Sequence, residues 1–407
     1  MRSRGREWRG RLATYGPFSA AIAITLPLLW PLATYPGDHF TLWAAGHIVA
    51  TGGSPYVAGA WSDPALDAAA ASGLVVDMRP VIAACCAVLW TYPPWTGLAL
   101  APFGALPVEI GVPLFHFVSL AAAIAGAVGL GRSASWHDPR GQAVGLVLLA
   151  LFEPFILGAR GGHFVGVLLL GVWLVQHGLV RERTGPLVVG ALLLSLKPHL
   201  VLGLAVIVLV ILVRRRRWSA LGWIAGATLP VAAISFLAYP DAFMAMSRGS
   251  AERATGQGAT TWTLVAGIFG TAVPAVVVVF QVGLLCACVL AARLTPPSLR
   301  THATVALSLV ASLALVPYVQ DHDQLLLVPA MLVAIAYRDP IGRGRRWYLG
   351  LIACAFVLVP WVIQIPVVIS DATSLAGLVP FVAAVVTLLG AALLHERSTA
   401  RMSPAPQ

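Results

Sequence analysis

The chain has 407 residues, of which 59% are hydrophobic and only 10% charged, with a formal charge of +10. Soluble domains carry about 25% charged residues, so this composition cannot make a hydrated surface; a soluble multidomain enzyme and a disordered chain are both excluded. Long unbroken apolar blocks stand where a membrane β-barrel would show alternating segments of about ten residues, which leaves an all-α polytopic membrane protein.

Residues 1–16 form a basic tail with Arg2, Arg4, Arg6, Arg9 and Arg11. Residues 17–35 are apolar and long enough to span, and no small-residue cleavage site follows, so they are read as a signal anchor. The arginines hold the start of this span in the cytoplasm. Residues 36–106 then form a first outer loop. Within it Phe40, Trp43, Ala44 and His47 fall at helical spacing, which predicts an interfacial helix over 38–50. Residues 81–104 are apolar, but Pro93, Pro94 and Pro102 argue against one continuous span. A helix lying on the outer surface is expected after the double proline.

Arginine placement orders the rest of the chain. Spans are expected near 107–131, 141–158, 163–180, 185–197, 199–213, 218–238, 272–292, 302–318, 324–337, 347–366 and 376–394, twelve with the anchor, and both termini lie inside. This trace puts 21 of the 26 basic residues and 5 of the 16 acidic residues in the cytoplasm. Counting 81–104 as a further span would invert every later loop. The short spans 185–197, 199–213 and 324–337 suggest tilted, broken or re-entrant segments around a site. Residues 239–271 are polar and glycine-containing, as expected of a loop that acts as a lid. Residues 17–394 form one transmembrane domain, and 395–407 a cytoplasmic tail. The basic charge is spread over many separate loops, so no nucleic-acid partner is expected. Cys85, Cys86, Cys286, Cys288 and Cys354 lack metal-site spacing and read as small buried hydrophobes. Neither a metal nor a cofactor is expected.

Ionisable groups at membrane depth are costly and mark functional sites. Asp38 follows the first span directly, either as an N-cap carboxylate or as a working acid; the two roles can coexist. Lys197 is the only lysine in the chain. It lies in "LLLSLKPHL" beside Pro198 and His199, where an ammonium would either bind a phosphate or snorkel to the boundary. "PYVQDHDQLLLVP" places Asp321, His322 and Asp323 together. They could orient a substrate, bind phosphate, contribute to a metal site with ligands from elsewhere, or be a polar loop. Glu153, Arg160 and His163 flank another outer turn, "FEPFILGARGGHFVG", where Arg160 could reach a phosphate or pair with Glu153. Trp90, Tyr92 and Trp95 around the double proline are either interfacial belt residues or stacking platforms for a sugar.

The order of an aspartate after span one, "GGSPY" with Tyr56, "WTYPPW", a solitary "LKPH" and a late Asp-His element resembles family 87 of the GT-C glycosyltransferases. These membrane enzymes use polyprenol-phosphate mannose and are typified by actinobacterial phosphatidylinositol-mannoside mannosyltransferases. The resemblance covers roughly residues 20–340. It implies a GT-C fold with juxtamembrane helices in the first outer loop and Asp38 as the catalytic acid. It maps the tyrosine-diproline element on Tyr92, Pro93 and Pro94, the lysine-proline element on Lys197 and Pro198, and the late histidine on His322. "GARGGHFVG" departs from the family's Gly-Gln-x-Asn turn, and the Asp-His-Asp element lacks its tryptophan.

The expected activity is an inverting transfer of a hexose, mannose by resemblance, from a polyprenyl-phosphate donor to a hydroxyl of a glycolipid or lipoglycan. It would take place at the extracytoplasmic face of the plasma membrane, in a monomer surrounded by membrane lipids. Asp38 would be the general base, with Asp323 beside His322 as the rival for that role. Lys197, His322, Arg160 and His199 would hold the donor phosphate. Tyr92, Trp95, Tyr56, Asp321, Asp323 and His163 would contact the substrates. A sugar phosphate carries its own leaving group, so one base and one or two cations suffice. A transporter or flippase of lipid-linked sugars is the alternative, though no internal repeat of the transporter kind is present. A ligase or polymerase using diphosphate-linked donors would show more outer arginines than Arg79, Arg160, Arg248 and Arg253.

Overall fold

The computed structural model describes residues 35, 38–85, 89–133, 139–256, 274–316, 319–341, 345–362 and 378–402. Among these residues the protein is helical almost throughout, and its only strand-like feature is an isolated bridge between Tyr35 and Val75. The helices are α1 (His39–Ala50), α2 (Pro64–Ala71), α3 (Arg79–Cys85), α4 (Pro94–Gly104), α5 (Val108–Ser133), α6 (Pro139–Leu151), α7 (Glu153–Arg160), α8 (Val165–Val180) and α9 (Thr184–Leu194). They continue as α10 (Leu202–Arg214), α11 (Trp218–Ala238), α12 (Ala242–Gly256), α13 (Pro274–Leu294), α14 (Pro297–Leu315), α15 (Val328–Ile341), α16 (Arg345–Ala353) and α17 (Leu378–Met402). Short 3-10 turns lie at Pro198–Val201 and Asp321–Leu327.

Proline punctuates the chain as its missing N–H and fixed φ require. Pro64, Pro94 and Pro297 sit in the first turn of α2, α4 and α14. The double proline therefore starts a helix at Pro94, as the sequence predicts. Four described helices are long and apolar enough to cross a membrane: Val108–Ser133, Trp218–Ala238, Val276–Leu294 and Pro297–Leu315. At 1.5 Å per residue, 20 residues cover the roughly 30 Å hydrocarbon layer. Six further apolar helices are shorter, so the structure does not carry the count of twelve. The expected first span falls outside the described residues apart from Tyr35.

The helices divide by what they face. α14 and α15 fill the centre, with Ala303, Val305, Leu309, Val310, Met331 and Ile335 all shielded. α11 lies at the rim, where Leu237 is 83% exposed and Trp223, Leu229 and Ile234 are exposed too. A row of that kind is stable against lipid and not against water. Among the three cysteines whose side chains are described, Cys286 and Cys354 share this exposure and Cys288 is buried, which corrects the expectation for the first two.

Three expected elements differ. The 38–50 helix forms, but ten of its twelve residues are buried. Leu42, Ala45, Ile48 and Val49 make its second face as apolar as its first, and a helix apolar all round is enclosed by protein rather than laid on an interface. It packs on α4 so closely that a Cβ at Gly104 would overlap the backbone of Gly46 and His47. The expected span 141–158 is two helices, because the chain turns at Phe152 and Pro154 opens α7. The expected lid at 239–271 is helical over Ala242–Gly256 after a turn at 239–241, and residues 257–271 lie outside the described residues. Its Ala, Met and Arg content favours a helix.

Candidate active site

Asp38 stands at the N-cap position of α1, yet its side chain makes no capping hydrogen bond. Its backbone N–H donates to the Gly161 carbonyl at 3.0 Å. Its carboxylate Oδ2 lies 3.2 Å from Nδ1 of His163. The turn that brings His163 there follows α7: Gly161, then Gly162 at φ +74°, a left-handed conformation that glycine adopts without cost.

From this contact a line of polar groups runs into the protein. The His163 ring stacks on His322, with centroids 3.2 Å apart and planes 8° from parallel. His322 Nε2 lies 3.5 Å from Asp323 Oδ1. That same oxygen accepts from Lys197 Nζ at 2.6 Å, while Oδ2 accepts from the Gln320 backbone N–H at 3.0 Å. The ammonium also sits 5.6 Å from the centre of the Tyr92 ring, within cation–π range. The Lys197 and Asp323 side chains are 2% and 0% exposed, those of His163 and Asp38 12% and 20%. The line thus goes from a partly accessible carboxylate to an enclosed ion pair.

Electrostatics follow from that placement. Burial alone raises the pKa of the Asp38 carboxyl. The imidazoles of His163 and His322 and the Lys197 ammonium outweigh it and hold the group well below the usual carboxylate range. Asp38 is therefore ionised at any physiological pH.

The remaining acids of this region are occupied. Asp63 caps α2 by accepting from the Ala65 N–H at 2.8 Å. Asp77 forms a bidentate pair with Arg79, which also reaches Asp67 at 2.9 Å and the Trp61 carbonyl at 2.8 Å.

Of the residues singled out in the sequence, Asp38, His163, His322, Asp323, Lys197 and Tyr92 are brought into this one constellation. Lys197 is not the unmatched cation that its sequence context suggests, because Asp323 neutralises it. His199 lies two residues on, and its buried Nε2 has no hydrogen-bond partner among the described residues. Trp95 and Tyr56 hold backbone rather than offering open stacking faces. The Trp95 indole N–H donates to the Ser195 carbonyl at 2.9 Å, just ahead of Lys197, and Tyr56 Oη donates to the Tyr92 carbonyl at 2.5 Å. Arg160 is exposed at the C-terminal end of α7, and Glu153 is buried at its start. Asp321 opens the 3-10 turn, but its side chain is not among those described. Sequence reasoning overlooked His39, His116 and Ser119. His116, an ionisable residue within an apolar span, carried the signal that should have found it.

Apolar helices long enough to cross a bilayer, with buried acids and bases gathered where several shorter helices end, define a multi-pass membrane protein with an enclosed polar site. The model of glycosyltransferase family 87 matches residues 90–319, more than half of the chain, and the chain belongs to that family of membrane glycosyltransferases. No curated protein and no solved structure matches it. Tyr92, His163 and Lys197 lie inside the matched region. Asp38, His322 and Asp323 lie outside it, and the fold brings them to the same place.

Proposed function

We propose that the protein transfers a hexose, mannose in the first instance, from a polyprenyl-phosphate donor to a hydroxyl of a glycolipid or lipoglycan. The reaction proceeds with inversion, on the extracytoplasmic side of the plasma membrane, and Asp38 is the general base. The observation that carries this reading is the Asp38–His163 contact. Asp38 gives up the capping bond its position offers, and it alone among Asp38, Asp63, Asp67 and Asp77 pairs with an imidazole of the inner cluster.

The acceptor hydroxyl loses its proton to the Asp38 carboxylate as its oxygen attacks the anomeric carbon. The bond from that carbon to the phosphate oxygen breaks, and the polyprenyl phosphate leaves with the electron pair. His163 orients the carboxylate and shares the proton it receives. Lys197 supplies the positive potential that the departing phosphate requires, with Asp323 holding the ammonium in place, and the His322 imidazole, which burial and the neighbouring His163 and Lys197 keep neutral, offers an N–H donor. His199 and Arg160 are second candidates for phosphate contact, and Tyr92, Trp95, Tyr56 and Asp321 for sugar contact.

A groove of about 510 Å³ between α10, α13 and α14 supports a lipid-linked donor. Its walls include Val206, Leu285, Val289 and Leu307, and it begins at Leu202, just past Lys197 and His199. The Ser308 and Ser312 hydroxyls within it are bonded to the Val305 and Ser308 carbonyls, which leaves a lining suited to an isoprenoid chain.

The test is transfer by the purified protein in detergent from radiolabelled polyprenyl-phosphate mannose to membrane glycolipid, with the anomeric configuration of the product read by NMR. Turnover without a sealed membrane and an inverted product are expected. Transfer only of a different activated sugar, or a retained configuration, rejects the donor or the single displacement.

A further inference from the structure

Asp38 and His163 are far apart in sequence, and neither is fixed by the other alone. Both trace back to one helix. Ser119 on α5 donates its hydroxyl to the His163 carbonyl at 2.6 Å. Three residues earlier, and so on the same face of the helix, His116 presents Nδ1 at 3.1 Å from Nε2 of His39, the neighbour of Asp38. The rings of His39 and His116 are 0% and 1% exposed. Tyr35 meets both edge-on, with centroids 4.9 and 5.7 Å away. The backbone of Gly162 lies against the His39 ring so closely that a Cβ there would overlap ring atoms.

These contacts matter because the Asp38 carboxylate takes no part in capping α1. The first turn of that helix therefore depends on its neighbours for its place. An N–H···N bond between two buried imidazoles has a narrow optimum in length and angle. In an enclosed site such a bond selects one arrangement over its alternatives. A general base must stand about 2.6–3.2 Å from the proton it takes, and an error of about 1 Å can cost on the order of 10²-fold in rate.

We propose that His116 and Ser119 form a two-point clamp on α5 that sets the distance between Asp38 and His163. His116 is a positioning residue that acts through His39, and Ser119 holds the other partner through the His163 carbonyl. The proposal rests on the assignment of Asp38 as the base.

The test compares His116→Leu, His116→Asn and Ser119→Ala in the purified full-length protein, with donor kinetics in detergent and melting curves for each. Asparagine puts an amide atom near the place of Nδ1 and can still bond to His39; leucine cannot. The expected result for His116→Leu is a kcat about 10²-fold lower, with the donor KM unchanged within about two-fold. His116→Asn should recover most of that loss, and Ser119→Ala should lower kcat by about ten-fold, again at constant KM. Equal kcat for His116→Leu and His116→Asn overturns the clamp, as does a change confined to KM or to the melting temperature. Should His116→Leu fail to fold, an unaltered kcat in Ser119→Ala overturns it alone. Asp38→Asn as control separates the two claims. An active Asp38→Asn rejects the base assignment, whereas an inactive Asp38→Asn beside undisturbed His116 and Ser119 variants rejects only the clamp.

Discussion

Two groups of charges lie near the start of α1, one through Arg79 over the Phe40 ring and one through His163 at Asp38, and they are built on different plans. Around Arg79 the partners are close in sequence: Asp77 two residues away, Asp67 twelve, and the Asp67 carboxylate is 65% exposed. Around His163 the partners come from Asp38, His322, Asp323 and Lys197, and the Lys197–Asp323 pair spans 126 residues with almost no exposure. Water screens the first group, so its ion pairs are worth about 0–1 kcal/mol each and serve to fold the segment before α4. The inner end of the second group, Lys197 and Asp323, has lost its water, so each of these two depends on the other, and removing one changes the charge balance around Asp38 as well. The proposed chemistry is assigned to the second group because there a carboxylate is held ionised, partly accessible and hydrogen-bonded to an imidazole.

The largest effect should come from breaking the enclosed pair. Lys197→Ala leaves the Asp323 carboxylate buried without its cation, and stability should fall by about 3–5 kcal/mol. The double variant Lys197→Met/Asp323→Leu removes both charges and should regain most of that loss in a denaturation experiment. Its transfer activity should stay low if the ammonium also serves the phosphate. A double variant no more stable than the single one would show that packing, not charge, fails in Lys197→Ala.

His163 offers a finer cut through the same group. His163→Asn keeps a hydrogen-bond donor near Nδ1 and removes the ring whose electrostatic attraction helps to lower the Asp38 pKa. The raising effect of burial on Asp38 is then less opposed, so the Asp38 pKa moves up. Activity that needs ionised Asp38 is present above that pKa and lost as pH falls through it. The acid limb of the pH–rate profile should therefore shift to higher pH, with turnover at neutral pH lower by about 10²-fold. An unmoved acid limb would separate His163 from the base.

Much of this arrangement could be read from the sequence, and the gaps have physical causes. The double proline, the solitary lysine and the late histidine all announced themselves, because proline and charge are rare and expensive inside apolar segments. Their mutual bonding did not. Lys197 and Asp323 were each singled out, but one as a free phosphate cation and the other as a substrate contact, since spacing cannot show that two residues so far apart form an ion pair. The burial of α1 was missed for a different reason: Phe40, Trp43 and His47 suggested one apolar face, while Leu42, Ile48 and Val49 on the other face were given no weight. The break at Phe152 could have been seen in Pro154, which cannot sit inside a regular helix without disturbing it. His116 escaped notice because the surrounding "PLFHFVSLAA" reads as an ordinary span.

The smallest effects should come from the exposed group. Asp67→Asn removes one arm of the Arg79 network and should change stability by less than about 1 kcal/mol. Its transfer rate should match that of the native protein. A large loss of activity in Asp67→Asn would mean that the segment before α4 contributes more than scaffold.

The central claim, that Asp38 is the base of a glycosyl transfer, is tested most directly by one rate. Asp38→Asn keeps the size of the side chain and costs no capping bond but loses the attraction that lowers the Asp38 pKa, so the purified variant should fold with a reduced melting temperature. Its transfer from radiolabelled polyprenyl-phosphate mannose should fall by about 10²–10⁴-fold, the usual contribution of a general base. A folded Asp38→Asn that transfers sugar within a few-fold of the native rate would contradict the account.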